Sequence, residues 1–285
     1  MSVLLDINIL TVDVEEWFMS YPASQIEPMQ WGKLPRRIDK NISDILCFLD
    51  QHQQKATFYI MGWVAEQFPD TVDAINHAGH EIGYHSYYHQ LPEKQDIKAF
   101  EKDLSDGLAL IESIINKKVT LYRAPHFSFG FHTGWAIPVL QAHGIEASSS
   151  VMSGKTDGLQ TIPSSPFYLR YNEMQIIEIP LNRMAFAWNH FVYTGSGFFR
   201  ICPFALLRRL YNGSSYNMAY FHPRDFDMDV PATPLLPFYR NMMSRVGNST
   251  TMPKLSRLLR QMHFDTVGSA LNRLDRNQLP VIHLK

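Results

Sequence analysis

A chain of 285 residues with 45% hydrophobic content is long enough to bury a substantial core as one large α/β domain. Its 26 basic and 27 acidic residues leave a formal charge of -1, which gives no electrostatic footprint for nucleic acid or an anionic membrane surface. Two cysteines make no disulfide framework, no apolar run reaches the ~20 residues of a membrane span, and Asp6 and Asn8 break the first apolar run, so a soluble, cytoplasmic protein in a reducing compartment is expected.

Residues 4–14 form the first expected strand and run into the acidic cluster Asp13-Val14-Glu15-Glu16. After a loop rich in Pro, Met and Trp, Ile38, Ile42, Ile45 and Leu49 recur at helical spacing, and Cys47 within that pattern is expected to be buried. A strand over 56–61 follows, then a helix opened by Pro69 and stopped near Gly79, then a strand over 81–84 that leads into His85. Leu104, Leu108, Ile111 and Ile115 mark a long helix, residues 119–122 a strand, and residues 135–142 a helix ended by Gly144. This β-then-α alternation implies a parallel sheet with right-handed crossovers. In a β/α barrel, active sites gather at the C-terminal strand ends, where Asp13, His85 and Arg123 all fall.

Beyond residue 165 the rhythm changes. Strands are expected over 167–171 and 175–179, a glycine turn at Gly195-Ser196-Gly197, a helix over 203–211, and a strand over 218–221 that ends at His222-Pro223. From Pro234 the tail reads as helical, with Leu255, Leu258 and Leu259 as its apolar face. The whole is expected to be a single unit over 1–285, with a barrel core in 1–165 and the remaining strands, the His222 segment and a helical extension in 166–285.

His85 and His89, four apart, can face one way on a helical turn, and a carboxylate from the first strand completes a three-ligand metal site with open positions. Imidazole and carboxylate together suit a borderline cation such as Zn2+. Asp13 and Glu15 alternate along an extended strand and so share a face, which favours Glu15 over Glu16 as the ligand while a one-residue shift stays open. Two carboxylates on one buried face repel unless a cation or proton intervenes. Arg123, after a strand, suits the orientation of a carboxylate base because it stays charged. His222 stands at a strand end, where an imidazole serves as an acid near neutral pH. Each has an ordinary alternative: surface or core histidines, acids at a solvated loop mouth, a surface arginine. The 13% aromatic content likewise fits either a Phe- and Tyr-rich core or a sugar-stacking groove.

Taken in order, Thr11-Val12-Asp13-Val14-Glu15, His85-Ser86-Tyr87-Tyr88-His89, Arg123-Ala124-Pro125 and Tyr220-Phe221-His222-Pro223 resemble the motifs of the polysaccharide deacetylases, the NodB-homology carbohydrate esterases. The segment Asp13 to Trp17, the turn Gly195 to Arg200, the stretch His222 to Asp227 and the tail after Pro253 are similar to a subgroup with a C-terminal extension, found with exopolysaccharide and surface-polysaccharide biosynthesis. The resemblance implies a distorted (β/α)7 barrel and the hydrolytic removal of an N-acetyl group from a sugar carried by a nucleotide, a lipid or an oligosaccharide. It implies Glu15, His85 and His89 as ligands of a divalent metal, Zn2+ first and Co2+, Ni2+ or Mn2+ as alternatives. Asp13 would be the base, Arg123 its orienting partner and His222 the acid, with His126, Phe127, Trp188 and Tyr220 lining the substrate site. His126 departs from the Tyr of many relatives, Arg224-Asp225 replaces an aromatic-acid pair, and the Trp and Asp that normally serve the final His are not evident. A related hydrolase of cyclic amides and an inactive carbohydrate-binding protein are the competing functions.

Overall fold

A nine-stranded sheet lies at the centre of the computed structural model, which describes residues 6–19, 26–157, 160–186 and 189–285. Its strands are β1 (Ile7–Val14), β2 (Thr57–Ile60), β3 (Glu81–Tyr84), β4 (Leu121–Tyr122), β5 (Ala147–Ser148), β6 (Phe167–Tyr171), β7 (Met174–Glu178), β8 (Tyr216–Phe221) and β9 (Val281–His283). They lie in the order β8-β1-β2-β3-β4-β5-β7-β6-β9. From β8 to β7 every pairing is parallel; β6 turns back antiparallel to β7, and β9 adds parallel to β6. The helices Ile38–Gln51, Pro69–His77, Ile97–Ile115 and Ala136–Ala142 occupy the successive crossovers. This is the α/β architecture of a distorted (β/α)7 barrel.

Local sequence explains the main elements. β1 is an Ile- and Val-rich run in which all but Asn8 are buried, as expected of a strand covered on both faces. The long helix starts where the Asp96 carboxylate accepts from the Ala99 N–H (2.7 Å) and stops at Asn116 in the left-handed region. Its buried stripe, Phe100, Leu104, Leu108, Ile111 and Ile115, has helical spacing.

Closure between β8 and the segment after β7 runs through side chains, with Asn182 foremost. Asn182 Nδ2 donates to the Tyr216 carbonyl (3.1 Å), and its Oδ1 accepts from the Met218 N–H (3.0 Å). The amide thus pairs with alternate backbone groups of β8, as a neighbouring strand would. The Tyr216 hydroxyl donates to the Pro180 carbonyl (2.7 Å) and tightens the same seam.

Several expectations need correction. Cys47 is exposed, because the helix turns Ile42, Ile45 and Leu49 inward and leaves position 47 on the outer side. The Gly195 turn opens a helix, Ser196–Ile201, and a Cβ at Gly195 would lie 1.7 Å from the Tyr220 carbonyl oxygen, so close backbone approach excludes any side chain there. β4 spans two residues, β5 is too short to carry a periodic signal, and the tail ends in β9 rather than in helix. Residues 4–5 of the first expected strand lie outside the described residues.

Candidate metal and acid-base site

The parallel ladder continues one residue past the strand ends and holds the site. His85 N–H bonds Ile60 C=O, Arg123 N–H bonds Tyr84 C=O, and Ser149 N–H bonds Tyr122 C=O, each at 2.9 Å. β1 ends at Val14, and Glu15 N–H folds back to the Asp13 carbonyl at 3.0 Å. Asp13, Glu15, His85, Arg123 and His222 therefore converge at one end of the sheet.

Glu15 is buried, and its Oε1 lies 3.0 Å from both His85 Nε2 and His89 Nε2. Burial opposes its charge, yet His89, His222 and His85 outweigh that and hold the carboxyl well below the usual carboxylate range. Burial also disfavours a charged His85, while Asp13 and Glu15 raise its pKa. His85 Nδ1 donates to the Arg123 carbonyl at 2.8 Å in the tautomer that leaves Nε2 free to bind a cation. One ligand atom from each of Glu15, His85 and His89 falls within 4.8 Å of the others, as does one from each of Asp13, Glu15 and His222. A carboxylate oxygen shared by two buried imidazoles is a donor set that suits a divalent cation with open positions.

The histidines do not sit on a helical turn. They flank a loop in which Ser86 and His89 have φ of 62° and 58°, and its carbonyls at Ser86 and Tyr87 accept from the first N–H groups of the helix Gly62–Gln67. Half-buried Asp103 of the long helix fixes this loop, its Oδ2 accepting from Ser86 Oγ (3.0 Å) and Tyr87 N–H (2.8 Å). Glu16 turns away from the histidines, and its Oε1 accepts from the N–H groups of Arg37 (2.7 Å) and Ile38 (3.0 Å) at the start of the helix Ile38–Gln51.

Arg123 is fully buried and donates from Nη1 to Asp13 Oδ1 at 2.6 Å. Its remaining donors meet Thr11 Oγ1, Ser149 Oγ and the Ser149 carbonyl, and its plane stacks on the rings of Tyr59 (4.0 Å) and Phe127 (4.8 Å). Every degree of freedom of the Asp13 partner is thereby fixed. His222 Nδ1 lies 3.2 Å from Asp225 Oδ2, while Nε2 faces Glu15 Oε1 at 4.0 Å. Burial opposes charge on Asp225, but His222, Arg200 and Arg224 prevail and lower its pKa to about 2. Asp225 is thus the carboxylate partner of His222 that the sequence motifs left unassigned; its i+3 spacing after a strand-end histidine was the available signal.

Asp13, Glu15 and His222 line a pocket of about 160 Å3 with His126, Phe127 and Tyr220. Tyr220 lies edge-on to Phe127 (5.3 Å), and His126 lies beside His89 (4.9 Å). Phe127 is buried beneath Arg123, so it supports the base pair as well as the pocket wall. Trp188 lies outside the described residues. The residues missed from sequence are those that hold the others: Asp103, Thr11, Ser149 and Asp225.

Residues 33–148 match the family described as polysaccharide deacetylase, and residues 148–272 match a domain of unknown function, DUF3473. A peptidoglycan-N-acetylglucosamine deacetylase of Bacillus cereus is 30% identical over 138 residues, which are 48% of this chain and 46% of that protein. A peptidoglycan deacetylase of Helicobacter pylori is 28% identical over 132 residues, 46% of this chain and 41% of that one. The chain thus spans less than half the length of these curated relatives. Among solved structures, a protein of Mycobacterium smegmatis assigned as a polysaccharide deacetylase superposes with a TM-score of 0.68 at 18% identity, covering 98% of this chain and 93% of the other. A Bacillus anthracis pseudoenzyme of carbohydrate esterase family 4 superposes with a TM-score of 0.55 at 14% identity, covering 99% and 70%. These likenesses establish the fold, and the sequence match covers the strands that bear His85, His89 and Arg123. Residues 33–148 carry a polysaccharide deacetylase domain, and the chain has the fold of solved family 4 carbohydrate esterase structures.

Proposed function

We propose that this chain is a metal-dependent hydrolase that removes an N-acetyl group from a sugar. The observation that carries this reading is the Glu15-His85-His89 cluster, set beside the Asp13-Arg123 pair and faced by His222 in one small pocket. When bound at Glu15, His85 and His89, a divalent cation supplies Lewis acidity and lowers the pKa of a water toward ~7; Zn2+ suits the donor set best. Asp13, oriented by the bond from Arg123 Nη1 to its Oδ1, accepts the water proton. His222 Nδ1 donates to Asp225, and Nε2 gives a proton to the leaving amine. The backbone N–H of His126 serves the tetrahedral oxyanion. The pocket of about 160 Å3 gives room for an acetamido group.

The finer setting we propose is cytoplasmic surface-polysaccharide or exopolysaccharide synthesis, which the Asp13 to Trp17 and His222 to Asp227 segments support by resemblance. Metal-loaded protein is expected to release acetate from members of a panel of N-acetylated sugars, with cyclic amides run in parallel. Asp13→Asn is expected to retain its metal and lose roughly 10²–10⁴ in turnover. Ring opening without acetate release would favour the cyclic-amide reading, and no turnover of any metal-loaded sample would favour an inactive binding protein.

A further inference from the structure

The pocket that gathers Asp13, Glu15 and His222 carries more positive charge than the hydrolysis uses. Between Glu178 and Asp225 the sequence has no acid, so the segments that lead into β8 bring no carboxylate to the site. The two acids of the pocket lining are already turned to partners, Asp13 to Arg123 and Glu15 to His85 and His89. Among the described residues of that lining, Arg224 is the one permanent cation, and no step of the hydrolysis employs it.

Arg224 stands two residues after His222, on the turn Pro223–Phe226. Its carbonyl accepts from Asn248 Nδ2 (2.8 Å) and from the Asp227 N–H (3.2 Å), which anchors the backbone that bears the side chain. Two neighbouring groups register its charge. Burial pushes the Tyr220 hydroxyl up to about 12 against the charge of Arg224, and the same charge helps His222 and Arg200 to lower the pKa of Asp225. Asp225 does not balance this side of the site. Its Oδ2 lies 3.2 Å from His222 Nδ1 and its Oδ1 lies 3.6 Å from Arg200 Nε, so one carboxylate stands among an imidazole and two guanidinium groups. A divalent cation held by Glu15, His85 and His89 adds to the excess. A small cleft with buried walls and a surplus of one sign of charge concentrates ligands of the opposite sign.

We propose that the sugar accepted by this pocket carries an anionic substituent, a carboxylate or a phosphate, that pairs with the Arg224 guanidinium while the acetamido group lies among Asp13, Glu15 and His222. The planar fork of arginine matches either group through two parallel N–H···O bonds. Because Arg224 lines the same pocket of about 160 Å3 as the catalytic groups, the anion belongs to the sugar that bears the acetamido group and not to a distant unit of a chain. The inference rests on the reading of this pocket as a deacetylase site and makes Arg224 a determinant of its specificity.

Calorimetric binding to the full, metal-loaded chain tests it, with Asp13→Asn present to hold turnover down. The ligands are N-acetylglucosamine, its phosphate ester and its carboxylate at the exocyclic carbon, its lactyl ether, and acetate alone. At least one anionic sugar is expected to bind about tenfold or more tightly than the neutral parent, the range for a charge-assisted pair, with an advantage that shrinks in added salt. Arg224→Gln is expected to erase the difference, and Arg224→Lys, which keeps the charge and loses the fork, to retain part of it. Should the glutamine variant fall in thermal midpoint, the lysine variant decides by the same comparison. The proposal is overturned by equal affinity for neutral and anionic sugars, or by a preference that both variants leave intact, which would place the anion on the metal. Acetate bound as tightly as the anionic sugars would overturn it in favour of a product contact. A preference for anionic sugars without acetate release by the native chain would count against deacetylation and not against the anionic ligand. Acetate released from neutral and anionic sugars with equal kcat/KM would count against the preference alone.

Discussion

Glu15 and Glu16 are neighbours in the chain with opposite environments. Glu15 Oε1 meets two imidazoles, whereas Glu16 accepts backbone N–H groups at a helix start, and burial raises its pKa. Glu15→Gln is expected to lose metal on elemental analysis. Glu16→Ala is expected to keep its metal and lose about 1–2 kcal/mol of stability in denaturant titration, the cost of a lost helix cap. The reverse pattern would exchange their roles. Strand alternation already favoured Glu15, but the helix cap could not be foreseen, because Arg37 and Ile38 lie across a loop without a capping signature. Glu178 offers a pH test at this scale. Burial pushes its carboxyl up to about 7, against hydrogen bonds from Ser148, Ser150 and Val151 and the charge of Arg123. Because its folded pKa is raised, the unfolded chain releases the Glu178 proton first as pH rises. Its contribution is fully present below pH ~4.5 and lost by about pH 7, at most about 3 kcal/mol. In metal-free protein, Glu178→Gln is expected to flatten the fall in stability across that window; an identical pH profile would refute the assignment.

At the scale of elements, the loop from His85 to His89 shows why spacing alone misled. A four-residue interval fits a helical turn, yet positive φ at Ser86 and His89 and the carboxylate of Asp103 produce a tight loop that brings both Nε2 atoms to one oxygen. Asp103 also accepts from the Tyr84 hydroxyl at 2.8 Å, so the long helix secures the strand as well as the loop. Asp103→Ala is expected to weaken metal affinity roughly 10–100-fold in a chelator competition, the usual effect of losing a group that orients ligands. Unchanged affinity would mean that the ladder bond from His85 N–H suffices to hold the loop.

For the whole molecule, closure through Asn182 is the unusual feature, since a single amide takes the place of a strand between β8 and the segment after β7. Asn182→Ala leaves the buried Met218 N–H without its acceptor, at roughly 1–3 kcal/mol, while the Tyr216 carbonyl keeps its bond from Ser214 Oγ, and the variant is expected to lower the melting temperature by several degrees. An unaltered midpoint would show that the Tyr216 hydroxyl alone closes the seam. The sequence by itself determined the alternation of strands and helices through residue 142, the parallel sheet, and the residues Asp13, Glu15, His85, Arg123 and His222, because hydrophobic period and strand-end position are local properties. Only the tertiary structure decided that Asp225 partners His222, that Asp103 shapes the histidine loop, and that Thr11 and Ser149 fix Arg123. These pairings join residues distant in the chain or depend on the path of a loop, and neither leaves a periodic trace.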